Sequence, residues 1–294
     1  MSEFIGLGVE PALLAQAIET NAKAALQEDI NTGDITAALI PQDKNIRARV
    51  ITREKTVVCG RAWVDAIFSL LDAQYGGKTN IQWLKSDGDT ANPNDALFEI
   101  SGNARTLLTG ERAALNLLQT LSATATLARQ YADLVKGTAI TLLDTRKTLP
   151  GLRIAQKYAV AVGGCHNHRI GLWDAFLIKE NHICACGGIS AAITQARAMA
   201  PGKPVQVEVE TRTELEEALR AKADIIMLDN FSREDTLEIL NTPAPSSVFE
   251  VSGNVELDNF EALPSCQPYR ISVGALTKHL QAIDLSFRVI TETK

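Results

Sequence analysis

From about residue 139 of this 294-residue chain, short apolar runs recur, and each ends on a polar or glycine residue. Run 140–143 ends at Asp144, run 175–178 at Lys179, run 205–207 at Glu208 with Glu210 beyond it, and run 225–228 at Asp229. Run 248–251 leads into Ser252-Gly253-Asn254, and run 271–273 ends at Gly274. Cations concentrate just upstream: ten Lys and Arg lie between positions 105 and 179 against four acids, in a chain of formal net charge −6. Arg146 and Lys147 directly follow the first run, so they fit a solvated helix face poorly. Guanidinium and ammonium groups gathered at one rim need an anionic partner, and Arg forks match carboxylate or phosphate bidentately.

His166-Asn167-His168-Arg169 adds polar density. His168 beside Arg169 suits anion binding, whereas a metal reading of His166 and His168 has no third ligand at suitable spacing. Glu208 and Asp229 could bind sugar hydroxyls, hold Mg²⁺ against a diphosphate, or pair with the cations across the rim. Gly253 and Gly274 would let backbone N–H groups approach a phosphate, although ordinary strand-to-helix turns use the same residue. A ligand with several carboxylates and a phosphorylated sugar fits this combination. Two rivals use the same residues: a Schiff-base aldolase built on Lys179, and a phosphosugar-binding sensor without turnover.

The elements that must position these groups follow from the pattern. Six apolar runs, most separated by helical stretches such as 190–199 and 212–221, predict parallel strands with crossover helices. A seventh strand could hide near 157–162. No GxGxxG or GxxxxGK follows the first strand, so an α/β barrel fits better than a doubly wound nucleotide-binding sheet. In such barrels the site lies at the C-terminal strand ends, where the residues above stand.

The first third reads differently. Helical patterns at 11–29 and 61–73 mix with strand patterns at 46–58 (one strand or a hairpin), 81–84 and 96–100, an α+β arrangement. A long helical stretch follows from about Arg105 to Val135, with Gly110 as a possible break.

Composition narrows the function classes. Hydrophobic residues make up 46% and charged residues 22%, which excludes a disordered chain. The net negative charge argues against nucleic acid. No run approaches the roughly 20 apolar residues of a membrane span, and the first residues lack a signal-peptide shape. The five cysteines form no CxxC pair, so reduced thiols in the cytoplasm are expected.

Several long motifs resemble quinolinate phosphoribosyltransferase, also called carboxylating nicotinate-nucleotide pyrophosphorylase. They are Asp144-Thr145-Arg146-Lys147-Thr148-Leu149-Pro150-Gly151-Leu152-Arg153, Gly163-Gly164 with Asn167-His168-Arg169, and Asp174-Ala175-Phe176-Leu177-Ile178-Lys179-Glu180-Asn181-His182. The likeness continues through Val207-Glu208-Val209-Glu210, Met227-Leu228-Asp229-Asn230-Phe231, Glu250-Val251-Ser252-Gly253-Asn254 and Ser272-Val273-Gly274-Ala275-Leu276. Order and spacing agree from about residue 28 onward.

The resemblance implies an N-terminal α/β sandwich over 1–115, with 278–294 packing on it, and an incomplete, open α/β barrel over 116–277. It implies reaction of quinolinate with phosphoribosyl pyrophosphate to nicotinate mononucleotide, pyrophosphate and CO2, using Mg²⁺, in de novo NAD biosynthesis. It also implies a homodimer in which Arg112 reaches the neighbouring subunit's site. Arg146, Lys147, His168, Arg169 and Lys179 would hold the two carboxylates. Glu208 and Asp229 would serve the ribose and the metal-bound diphosphate, and Ser252, Gly253 and Gly274 the 5-phosphate. Lys147, Lys179, Glu208 and Asp229 stand nearest the chemistry, with Lys147 or His168 as proton donor after decarboxylation. Cys165-His166 and Trp173 depart from the commonest form, and Lys278 and His279 carry no assigned role.

Overall fold

A computed structural model describes residues 8–243, 246–252, 257 and 262–290. The chain begins with α1 (Pro11–Ile30), β1 (Asn45–Thr52), β2 (Thr56–Val57), α2 (Arg61–Tyr75), β3 (Asn80–Trp83), β4 (Thr90–Ala91), β5 (Ala96–Asn103) and α3 (Ala104–Leu134). β1 pairs antiparallel with β5, and β3 adds to the far edge of β5. Stretch 46–58 is not a hairpin, because β2 turns away to pair with β4. The apolar face of α2, Val64, Ile67, Phe68 and Leu71, repeats at helical spacing and is buried in one core with Ala48 and Val50 of β1. Helix α2 stops at Gly76, whose φ of 71° is the left-handed conformation glycine adopts freely.

Gly110 does not break α3. A Cβ there would lie 2.6 Å from Leu71 Cδ1 and 2.7 Å from Phe68 Cε1, so the glycine permits close approach of α3 to α2. That packing outweighs its helix-propensity cost of about 1 kcal/mol.

The chain continues with β6 (Ile140–Leu143), α4 (Arg153–Gly163), β7 (Phe176–Ile178), α5 (Glu180–Cys186), α6 (Ile189–Met199), β8 (Val205–Val209), α7 (Arg212–Arg220), β9 (Ile225–Leu228), α8 (Arg233–Leu240), β10 (Val248–Val251), β11 (Tyr269–Ser272) and α9 (Ala275–Lys278). The six predicted strands form one parallel sheet in the order β6-β11-β10-β9-β8-β7. The suggested strand near 157–162 is instead helix α4, which buries Ala155, Ala159 and Val160 at helical spacing. Among the described residues a single parallel bridge, Leu143 to His166, stands on the free side of β6, and β6 and β7 do not pair, so the barrel is open.

The last described strand, β12 (Leu285–Val289), pairs antiparallel with β1 and completes the order β12-β1-β5-β3. Two compact units result: Val9–Arg129 with Thr148–Gly164 and His279–Lys294, and a barrel unit of Gln130–Lys147 with Cys165–Lys278. A single boundary at 115/116 would cut α3 in mid-helix, and α4, placed in the barrel by its sequence position, belongs to the sandwich unit. Its Tyr158 hydroxyl donates to Asp87 (2.8 Å), and its ring lies 5.5 Å from that of Trp63.

Candidate active site

At the C-terminal ends of the barrel strands lies a cavity of about 210 Å³. It gathers Arg146, Lys147, His168, Arg169, Lys179, Glu208 and Ser252. It also takes in Thr145, Leu177, Met227 and Ser272, which were not singled out from the sequence. Strand parity could have found two of them, because Met227 sits in register with Glu208, and Ser272 lies two residues from Arg270, the register partner of Glu250.

Loop 166–169, which carries His168 and Arg169, is positioned by a buried acid. Asp144, fully buried at the end of β6, accepts from Asn167 Nδ2 and from the His168 backbone N–H, both at 2.8 Å, and its own N–H donates to His166 O at 3.0 Å. This clamp sets loop 166–169 against β6. Further along, Asp174 accepts from the backbone N–H groups of Ile170 (2.5 Å) and Gly171 (3.2 Å), closing a tight turn beyond Arg169.

Arg169 lies close enough to Arg146 for their charges to repel. Burial, then the Arg146 guanidinium, push the Arg169 pKa down, and Asp174 partly opposes this. The buried Nε of Arg146 has no hydrogen-bond partner among the described residues. Two guanidiniums held together with an idle buried donor form a site built for an anion.

Across the cavity Lys179 Nζ lies 2.5 Å from Glu208 Oε2, with Glu208 almost buried. Pairing across the rim is therefore realised for these two. The Lys179 backbone N–H donates to His182 Nδ1 (3.1 Å), which anchors the start of α5. Glu210 stands exposed beyond β8, its N–H donated to the Glu214 carboxylate (2.8 Å) in the capping box of α7. One carboxylate oxygen each of Glu180, Glu208 and Glu210 lie within 4.8 Å of one another.

The remaining expected residues stand apart from that lining. Asp229, half-buried after β9, donates its N–H to Val209 O (3.0 Å), and its carboxylate accepts from Asn230 Nδ2 (3.0 Å). Gly274 contributes space: a Cβ there would lie 3.2 Å from Lys147 Cδ, and the Thr277 hydroxyl donates to Lys147 O at 2.7 Å. Gly253 lies outside the described residues. Arg112 is on α3 in the sandwich unit, exposed, with its guanidinium 3.5 Å from Glu111. His166 is not in a metal-ligand cluster among the described residues. Burial and the nearby Arg270 push its pKa down. Among the described residues no helix is long and apolar enough to cross a membrane.

Residues 124–288 match the family described as "Quinolinate phosphoribosyl transferase, C-terminal domain", and residues 34–122 match its N-terminal domain. The probable nicotinate-nucleotide pyrophosphorylase [carboxylating] of Bacillus subtilis is 40% identical, covering 89% of this chain and 90% of its own length. The corresponding Mycobacterium leprae protein is 37% identical, covering 92% of this chain and 96% of its own. The solved nicotinate-nucleotide pyrophosphorylase from Francisella tularensis superposes with a TM-score of 0.88 at 45% identity, over 94% of this chain and 96% of that one. With both domain models matched and the relatives covered nearly end to end, this chain belongs to the quinolinate phosphoribosyltransferase family.

Proposed function

We propose that this chain transfers the phosphoribosyl group of phosphoribosyl pyrophosphate to quinolinate with loss of CO2, giving nicotinate mononucleotide and pyrophosphate in NAD biosynthesis. Within a family defined by that diacid, one observation carries the reading: Arg146 and Arg169 repel each other beside an unpartnered buried Arg146 Nε, with Lys147 and Lys179 on the same cavity. Two adjacent carboxylates on a pyridine ring would relieve that repulsion and use the idle donor.

The chemistry follows from charge and position. The cations hold the ring so that its nitrogen faces ribose C1, and aligning both reactants is worth up to about 7–11 kcal/mol. As the C1–O bond to diphosphate lengthens, negative charge grows on the leaving group and C1 becomes oxocarbenium-like. Lys147, lying beside Gly274 at the edge of the phosphate-binding turn, would counter that charge from the side shared by both substrates. Glu208 and Asp229 would orient the ribose hydroxyls. The hard-oxygen set of Glu180, Glu208 and Glu210, with Asp229 nearby in the strand order, suits Mg²⁺, which when bound supplies charge neutralisation to the diphosphate.

After ring quaternisation, the pyridinium charge stabilises the carbanion left by CO2 departure. Lys147 is the better-placed proton donor, because it is exposed at the cavity while both His168 ring nitrogens face protein groups. Lys179 sits in an ion pair with Glu208, a carboxylate partner on which Schiff-base lysines, desolvated or set beside another cation, do not rely.

The test is incubation with quinolinate, phosphoribosyl pyrophosphate and Mg²⁺, following CO2 and nicotinate mononucleotide. Pyrophosphate-donor binding without CO2 release would sink the proposal in favour of a sensor. We further propose a cytoplasmic homodimer with Arg112 acting across the interface. Arg112→Ala and Lys179→Ala should each be inactive, and hybrid dimers of the two should recover part of the activity. Proven hybrids without recovery would refute the shared site.

A further inference from the structure

Beneath the cavity the barrel interior holds charge where such barrels hold Val, Ile and Leu. Glu250 on β10 is fully buried, in register with Met227 on one side and Arg270 on the other. Arg270 Nη2 lies 2.9 Å from Glu250 Oε2, and His168 Nε2 lies 3.3 Å from Glu250 Oε1. Burial alone would push the Glu250 carboxyl up, but His168, Arg270 and Ser272 together outweigh it, so the group is an anion. Replacing such a buried pair with apolar residues is often neutral or stabilising, so fold stability is a weak reason for keeping it.

The other ring nitrogen of His168 supplies a reason. The Arg169 backbone N–H donates to His168 Nδ1 at 2.7 Å, which leaves Nε2, 3.3 Å from Glu250 Oε1, as the ring nitrogen open to a proton. The imidazole thereby joins a fixed anion in the barrel interior to the backbone from which the Arg169 side chain starts. Asp144 holds the same stretch through the His168 N–H, and Arg270 also lies near His166.

We propose that Glu250, backed by Arg270, is a positioning residue: it fixes His168 in the Nε2–H form and thereby sets where Arg169 meets the bound diacid. The inference rests on the reading of the cavity as a quinolinate site. His168 then acts through Arg169 and the barrel interior.

The test uses the full chain with Glu250→Gln. Calorimetric titration with quinolinate alone should show roughly tenfold weaker binding, about one decade in Kd. In turnover the KM for quinolinate should rise by a similar factor, with a smaller change in kcat. A generally loosened fold would move kcat and both substrate KM values together. The spectroscopic readout is ¹⁵N–¹H correlation of the imidazoles, with His168 assigned by comparison with His168→Asn. Wild type should show a single Nε2–H tautomer at His168, and Glu250→Gln a mixture.

Unchanged quinolinate affinity together with an unchanged tautomer in the variant overturns the proposal. So does an Nδ1–H tautomer in wild type, a measurement that needs no variant to fold. Should wild type bind no quinolinate at all, the site reading falls and takes the Arg169 step with it, while the tautomer still judges the link between Glu250 and His168.

Discussion

Asp144→Asn isolates the clamp that carries His168 and Arg169. The native carboxylate accepts two short bonds, from Asn167 Nδ2 and from the His168 N–H. A carboxamide has one acceptor oxygen, so its NH2 must face one of those two donors. The variant therefore loses one charge-assisted bond and leaves a buried N–H unpaired, at a cost of about 1.5–3 kcal/mol. For a protein of this size each kcal/mol moves Tm by roughly 2–4 °C, so a drop of about 3–12 °C is expected by calorimetry. The functional loss should be larger. Displacing Arg169 by as little as about 1 Å can cost on the order of 100-fold, so kcat/KM for quinolinate should fall by about 10- to 100-fold. A Tm within about 1 °C of wild type and an unchanged kcat/KM would refute the claim that this acid positions loop 166–169.

Three further predictions follow from particular contacts. Arg169→Met removes one of two repelling guanidiniums, so quinolinate kcat/KM should fall about 10- to 100-fold while stability to urea stays level or rises; a clear loss of stability would contradict the repulsion. Gly110→Ala should lower stability by about 1–3 kcal/mol despite alanine's better helix propensity, because its Cβ would enter the Leu71 and Phe68 side chains; an unchanged or higher Tm would show that α3 and α2 have room to separate. The Glu250 pKa is lower folded than unfolded, so its stabilisation is present above the ordinary glutamate value of 4.5 and is lost as pH falls below it. Unfolding free energy measured from pH 6 to 3 should therefore fall less steeply for Glu250→Gln than for wild type, and identical slopes would contradict this assignment.

The barrel strands were legible because both faces of a parallel strand are buried, which leaves apolar runs with polar ends. Lys179 and Glu208 stood out for the same reason, as charges directly after such runs. The long-range consequences were not legible. Gly110 carries the signal of a helix break, and only the approach of α2 explains it. Stretch 157–162 is apolar enough for a strand, and its helical form depends on packing within the sandwich unit. The sequence pattern shows no break between the units, because α3 runs unbroken over Ala104–Leu134 and α4 groups with the first unit. Asp144 was visible as a strand end, but its role as a double acceptor depends on where residues 167 and 168 return in space.

The pairing of β12 with β1 has a consequence for biosynthesis. One edge of β1 is covered by a strand translated about 230 residues later. At 5–20 residues per second, that edge waits roughly 10–50 s on the ribosome with its N–H and C=O groups open to other chains. Chaperone demand during overexpression should therefore centre on the nascent N-terminal sheet, well before the barrel has been made.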